Sequence, residues 1–159
     1  IFLFSPMHDV GKIGIPDNIL RKPSKLNTAE FDVMKTHPEK GREIIDSVLE
    51  DFSLGTFGHA NILRNIAEYH HEAIDGSGYP KGLKGDEIPI EARISAVADV
   101  FDALTSRRSY KAAWSNEDAF TMLRQMANSK LDRDCVEALI NSAEKILEIQ
   151  QRFRDNDLI

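Results

Sequence analysis

Helical spacing of apolar residues, repeated along a chain with almost no strand-like alternation, is the feature that most restricts the fold. Ile44, Ile45, Val48, Leu49 and Phe52 fall at i, i+1, i+4, i+5 and i+8, one face of a helix. Similar spacing recurs in Ile62, Leu63, Ile66 and Ala67, and in Ile94, Val97, Ala98, Phe101 and Leu104–Thr105. It returns in Val136, Leu139, Ile140, Ala143, Ile146, Leu147 and Ile149, all expected to be buried or half-buried. Alternating β-branched stretches of useful length are hard to find.

Capping and breaking residues then divide the chain. Leu3 to Val10 reads as the end of a helix stopped by Gly11 and Gly14. Pro16 starts a short turn of helix through Leu20. Asn27 or Thr28 caps the next helix, with Glu30 in its first turn. Pro38 restarts a helix, and Ser53 to Gly58 is a loop. A helix follows from about His59 to His71. Gly76, Gly78, Pro80, Gly82, Gly85 and Pro89 make 75–89 a loop. Pro89 opens a long helix to about Ser106, and Ser115 to Asp118 cap one through Ala127. A last helix is expected from Asp132 or Arg133 to about Arg154. The class is all-α, a compact multi-helix bundle of roughly six to eight helices. No repeat, low-complexity tract or internal boundary appears, so residues 1–159 read as one domain.

Charge bounds the ligands. The chain has 159 residues, with 20 Lys and Arg against 26 Asp and Glu, a net charge of −6. That balance repels DNA and anionic membranes, so a polyanionic ligand must be held by local cations or metal. No apolar run approaches the ~20 residues that span a bilayer. The single cysteine, Cys135, cannot form an internal disulfide and suits a reducing compartment; a cytoplasmic location is expected. The opening Ile1 to Phe4 is too short for a signal peptide and reads as the start of an N-terminally incomplete piece of a longer protein.

The chain has five histidines: His8, His37, His59, His70 and His71. All but His59 sit beside helix ends or breakers, and Asp9 follows His8. Adjacent residues on a helix point apart, so His8-Asp9 and His70-His71 read equally as surface or core residues and as ligands at a helix end. Asp99 lies in the apolar stretch Ile94 to Phe101, where a carboxylate is expensive to bury unless paired or metal-bound. Mixed His and carboxylate ligands suit iron, manganese, zinc or nickel, and two such ions are the usual clamp for phosphoester hydrolysis. From spacing alone, a metallohydrolase is one reading among several.

His8-Asp9-Val10-Gly11-Lys12-Ile13-Gly14-Ile15-Pro16 and His70-His71-Glu72-Ala73-Ile74-Asp75-Gly76-Ser77-Gly78-Tyr79-Pro80 together resemble the HD-GYP family. That family is a branch of the HD-domain metal-dependent phosphohydrolases. The match continues through His37-Pro38-Glu39-Lys40-Gly41, Ala98 to Thr105, and Arg108 to Lys111.

The resemblance implies hydrolysis of the bacterial second messenger cyclic di-GMP to pGpG and on to GMP. It implies two or three divalent ions, iron or manganese, held by His8, Asp9, His37, His70, His71 and Asp99, with Asp9 bridging. Lys12 would lie by the scissile phosphate. Arg108 and Lys111 would grip the ligand's phosphates, and Tyr79 with the Gly78 loop would wall in a guanine. An upstream receiver or sensor domain, diguanylate cyclase partners and a homodimer also follow as expectations. Beside these, Asp75 reads as an Asx-turn residue. Glu72 reads either as an orienting group behind a ligand histidine or as an exposed ion pair. Asp102 reads as support behind the ligands, and His59 matches none of them.

Three departures from the family pattern stand out. The family has a further ligand upstream of the HD pair, and residues 1–7 hold no His, Asp or Glu. The stretch from His37 to His70 is long, with Glu50 to His59 as the extra piece. Ser109 stands where proline is common. Two other functions therefore stay open: a catalytically inactive module that binds a cyclic dinucleotide or a protein, and an HD phosphohydrolase of another nucleotide.

Overall fold

A computed structural model of the chain describes residue 1 and residues 4–53, 59–106 and 112–156. Among these residues there are eight α-helices and no named strand, as the apolar spacing predicts. They are α1 (Asp17–Leu20), α2 (Thr28–Met34), α3 (His37–Asp51), α4 (Ala60–Tyr69), α5 (Ile90–Thr105), α6 (Asn116–Met126), α7 (Arg133–Ile140) and α8 (Ala143–Asn156).

Local chemistry sets most boundaries. Asn27 caps α2: its Oδ1 accepts the Glu30 N–H at 2.9 Å, while Glu30 accepts the Asn27 N–H at 2.8 Å. Ser115 accepts the Asp118 N–H at the start of α6, and Asp132 accepts the Cys135 N–H at the start of α7.

Two boundaries differ from expectation. The helix expected to run from 132 or 133 to 154 is broken after Ile140. The Ser142 hydroxyl donates to the Ala138 carbonyl at 2.9 Å, and the Ser142 N–H turns back to Leu139, which tightens the ladder there. The opening segment forms two 3-10 turns, Ser5–Met7 and Val10–Gly14, with Gly11 inside the second rather than ending a helix. A β-carbon on Gly11 would overlap the His37 carbonyl oxygen and the Gly41 nitrogen. The glycine is there for close approach, not for termination.

The core has two parts. Ile45 and Leu49 of α3 meet Ala60 and Ala67 of α4, while Val97 and Phe101 of α5 pack with Ala119, Leu123, Leu131 and Val136. Each such buried Leu, Ile or Phe contributes about 1.5–3 kcal/mol. The expected α3 face is narrower than its apolar pattern: beyond its first turn α3 buries Gly41, Ile45 and Leu49, and Val48 and Phe52 stay exposed. On α8, Leu147 and Ile149 are likewise exposed.

Candidate metal centre

α3 and α4 form an antiparallel pair. Arg42 reaches Glu68 at 2.8 Å and Asp46 at 2.5 Å, and Asp46 in turn takes Arg64 at 2.5 Å. These ion pairs flank the apolar seam, so the start of α3 lies beside the end of α4. His37 is the first residue of α3, and His70 caps α4. Their Nε2 atoms are 3.4 Å apart. Gly11 meeting Gly41 brings the 3-10 turn and its preceding Asp9 to the same place.

Asp9, His37, His70 and His71 each offer a ligand atom within 4.8 Å of the others. Asp9 Oδ1 lies 3.3 Å from His37 Nε2 and 3.8 Å from His70 Nε2. Its Oδ2 lies 3.3 Å from His8 Nε2 and 2.5 Å from Lys12 Nζ. His8 Nε2 is also 3.8 Å from Asp99 Oδ1, which extends the cluster across to α5. All six predicted metal ligands are therefore gathered, four tightly and His8 and Asp99 on one flank.

The histidines are aimed by backbone. His8 Nδ1 faces the Ser5 carbonyl at 2.6 Å, His37 Nδ1 the Met34 carbonyl at 2.8 Å, and His70 Nδ1 the Ile66 carbonyl at 2.9 Å. A carbonyl only accepts, so each Nδ1 carries the proton and donates it. That leaves the Nε2 lone pairs turned inward, toward one another and toward a carboxylate. Asp9 Oδ1 is buried and receives no well-formed hydrogen bond. Lone pairs and an anionic oxygen converging in this way call for a cation. The donor set, imidazole and carboxylate without sulfur, suits a divalent transition metal.

Electrostatics agree. Burial pushes His70 down to about 2, helped by the adjacent His71. Burial and then His37 push His71 down to about 4. Both are neutral at physiological pH, with lone pairs available. Burial alone would raise Asp9, but contacts with His37, His8 and Lys12 outweigh it and hold the carboxylate far below its ordinary range. The Asp9 contact raises His8.

The glycine-rich loop closes one side. Glu72 is buried, and its carboxylate accepts backbone N–H groups of Lys81 at 2.7 Å, Gly82 at 3.1 Å and Leu83 at 3.0 Å. It is thus neither an orienting group for a histidine nor an exposed ion pair; it fastens the loop. The Tyr79 N–H donates to the His71 carbonyl, and the Tyr79 ring lies 4.8 Å from the His71 ring at 30°. Burial raises the Tyr79 hydroxyl, and the charges of Asp9 and Asp99 raise it further, so it keeps its proton. A β-carbon on Gly78 would overlap the backbone of Glu72 and Ala73, a packing reason for glycine there. Asp75 makes the expected Asx turn, accepting the Ser77 N–H at 2.9 Å. Asp102 is exposed and accepts from the Ser106 hydroxyl, away from the role of supporting ligands. Arg108 and Lys111 lie outside the described residues.

The comparison that decides the family is a match to the HD domain over residues 3–135. The chain belongs to the HD-domain family. The HD pair that gives the name is His8-Asp9, the turn at the centre of the cluster. This HD domain is 46% identical, over 96% of its length, to a Xanthomonas campestris protein named cyclic di-GMP phosphodiesterase response regulator. It is 43% identical, over 98% of its length, to a Vibrio cholerae protein named probable cyclic di-GMP phosphodiesterase. A Vibrio cholerae 3'3'-cGAMP-specific phosphodiesterase is 41% identical over 95% of the chain. The chain spans 39%, 35% and 28% of those three proteins respectively.

The carbonyls of Ser5, Met34 and Ile66 are functional groups that the sequence reading missed. Each lies three or four residues before its histidine, the spacing at which a helical turn folds a side chain back on the backbone. That spacing is a usable signal.

Proposed function

We propose that this HD domain is a metal-dependent phosphodiesterase that hydrolyses cyclic di-GMP to pGpG and on to GMP. The observation that carries the proposal is the convergence of three backbone-oriented imidazoles on Asp9. The names of the relatives support the substrate. His8, Asp9, His37, His70, His71 and Asp99 would hold two or three divalent ions, iron or manganese. When bound, such ions supply a nucleophile from water and neutralise charge on the phosphate.

The chain's own groups do the rest. Asp9 stays ionised and bridges the two halves of the ligand set. Lys12 holds an ammonium 2.5 Å from Asp9 Oδ2, within reach of a phosphate oxygen or a leaving oxygen. Tyr79 keeps its hydroxyl proton as a donor and packs on His71, while the Gly78 turn and its ring wall in a guanine. Arg108 and Lys111 grip the ligand's phosphates. In the cell the domain works in the cytoplasm within a longer protein, under a receiver or sensor domain, as a homodimer that engages diguanylate cyclases and not DNA. Among the described residues no helix is long and apolar enough to cross a membrane.

The test is anaerobic incubation with Fe(II) or Mn(II) and cyclic di-GMP, with products resolved by chromatography. The expected result is pGpG or GMP, lost on adding chelator. Tight binding with unchanged substrate, in the full-length protein as well, would instead make the domain a sensor. The 3'3'-cGAMP-specific relative favours one second reading, and parallel incubation with 3'3'-cGAMP separates it: faster turnover of that nucleotide would shift the substrate.

A further inference from the structure

Phe31 belongs to neither apolar cluster of the bundle, and 47% of it is exposed. It nevertheless sits in a defined place. Its ring meets Tyr79 with centroids 6.5 Å apart and planes at 81°. Tyr79 lies on His71, and His71 is 5.0 Å from the His37 ring. One turn along α2, Lys35 sets its Nζ 5.4 Å from the Phe31 ring centroid, while Asp32 holds the same ammonium at 2.6 Å. The Lys35 distance is within cation–π range of the ring. Phe31 and Tyr79 thus make a right-angled aromatic corner that runs, ring to ring, into the metal cluster. A half-exposed aromatic that contributes nothing to the core yet touches the wall of a polar site has the properties of a stacking platform.

We infer that Phe31 is a nucleobase-stacking residue of the substrate site: a purine of the bound cyclic dinucleotide lies flat on the open part of the Phe31 ring, with Tyr79 as the perpendicular wall. The inference rests on the phosphodiesterase reading. It makes α2 part of the substrate pocket, and it makes Phe31 a determinant of affinity rather than of the chemical step.

The test uses wild-type, Phe31→Ala and Phe31→Trp proteins loaded with Mn(II). Because Phe31 is half-exposed, the alanine variant is expected to fold with wild-type metal content, which thermal unfolding and elemental analysis check. Loss of one stacked base corresponds to a rise in KM for cyclic di-GMP of about 5- to 140-fold. The expected result is that rise in Phe31→Ala with kcat little changed, and recovery in Phe31→Trp. A second readout is independent of turnover. In Phe31→Trp, cyclic di-GMP quenches tryptophan fluorescence within the first milliseconds of mixing; wild type, whose single tryptophan is Trp114, gives the background. Unchanged KM in Phe31→Ala, or normal hydrolysis by Phe31→Trp without quenching, overturns the inference and leaves the phosphodiesterase reading standing. A wild-type protein that neither binds nor hydrolyses a cyclic dinucleotide overturns both.

Discussion

Gly11 and Gly41 meet backbone to backbone: a β-carbon built on Gly41 would come 3.3 Å from the Gly11 nitrogen, and one on Gly11 would overlap Gly41. This contact seats the turn carrying Asp9 on the start of α3, where His37 is. Gly11→Ala is therefore expected to lose about 3 kcal/mol or more, because backbone on both sides must move. It also pulls Asp9 away from His37. Thermal unfolding and metal stoichiometry check this; wild-type values in both would show that the contact is dispensable.

His70 is buried and held by two carbonyls, so His70→Ala removes a proposed ligand without exposing a surface. Metal content and metal-dependent turnover should fall together, turnover by at least ~100-fold. Asp9→Asn keeps the shape and loses the charge, and a comparable loss is expected. Elemental analysis beside the product assay measures both, and full turnover in either variant would remove that residue from the ligand set.

Stripped of metal, the domain should lose stability as pH falls below about 6.5, the ordinary imidazole value. Folding lowers His70 to about 2 and His71 to about 4. Above 6.5 both states hold these rings neutral. Below it the unfolded chain binds protons that the folded chain refuses, which favours unfolding by up to about 1.4 kcal/mol per pH unit per ring. His8, raised by Asp9, acts in the opposite direction: its contribution is full below 6.5 and fades as pH rises through its folded value. Two large downward shifts outweigh it. Urea midpoints of the chelated protein at pH 7.5 and pH 5 decide the sign.

Glu72 is the acceptor for three consecutive loop amides. In Glu72→Ala those donors lose their partner, at a cost of about 1–3 kcal/mol for each one left buried and unpaired. Amide hydrogen exchange at Lys81, Gly82 and Leu83 should quicken well before that of α5. Exchange unchanged at those residues would mean that the loop is held by something else.

The site was legible through the motifs that resemble the HD-GYP family; the breakers beside its histidines alone left a metal site as one reading among several. His37 precedes a proline, His70-His71 precede the glycine-rich loop, and Asp75 has a serine two residues on for its turn. The all-α class followed from periodicity, and the α2 cap from Asn27 and Glu30. What escaped depends on the path of the chain. Glu72 serves amides nine to eleven residues ahead, which no local pattern announces. Gly11 reads as a helix stop until α3 is seen against it. The break between α7 and α8 rests on a serine hydroxyl within an apolar spacing that runs on unbroken. The exposure of Val48 and Phe52 reflects how narrow a strip of α3 its neighbour covers.

The imidazoles are aimed by carbonyls three or four residues upstream, whereas their separation is set by how α3 and α4 lie together. Orientation and spacing are thus adjustable apart. A change along the seam, at Ile45, Leu49, Ala60 or Ala67, alters the gap between His37 and His70 and with it the radius of ion that fits, while every ring keeps its tautomer. Descendants of this domain could move from one metal to another by repacking residues that never touch it.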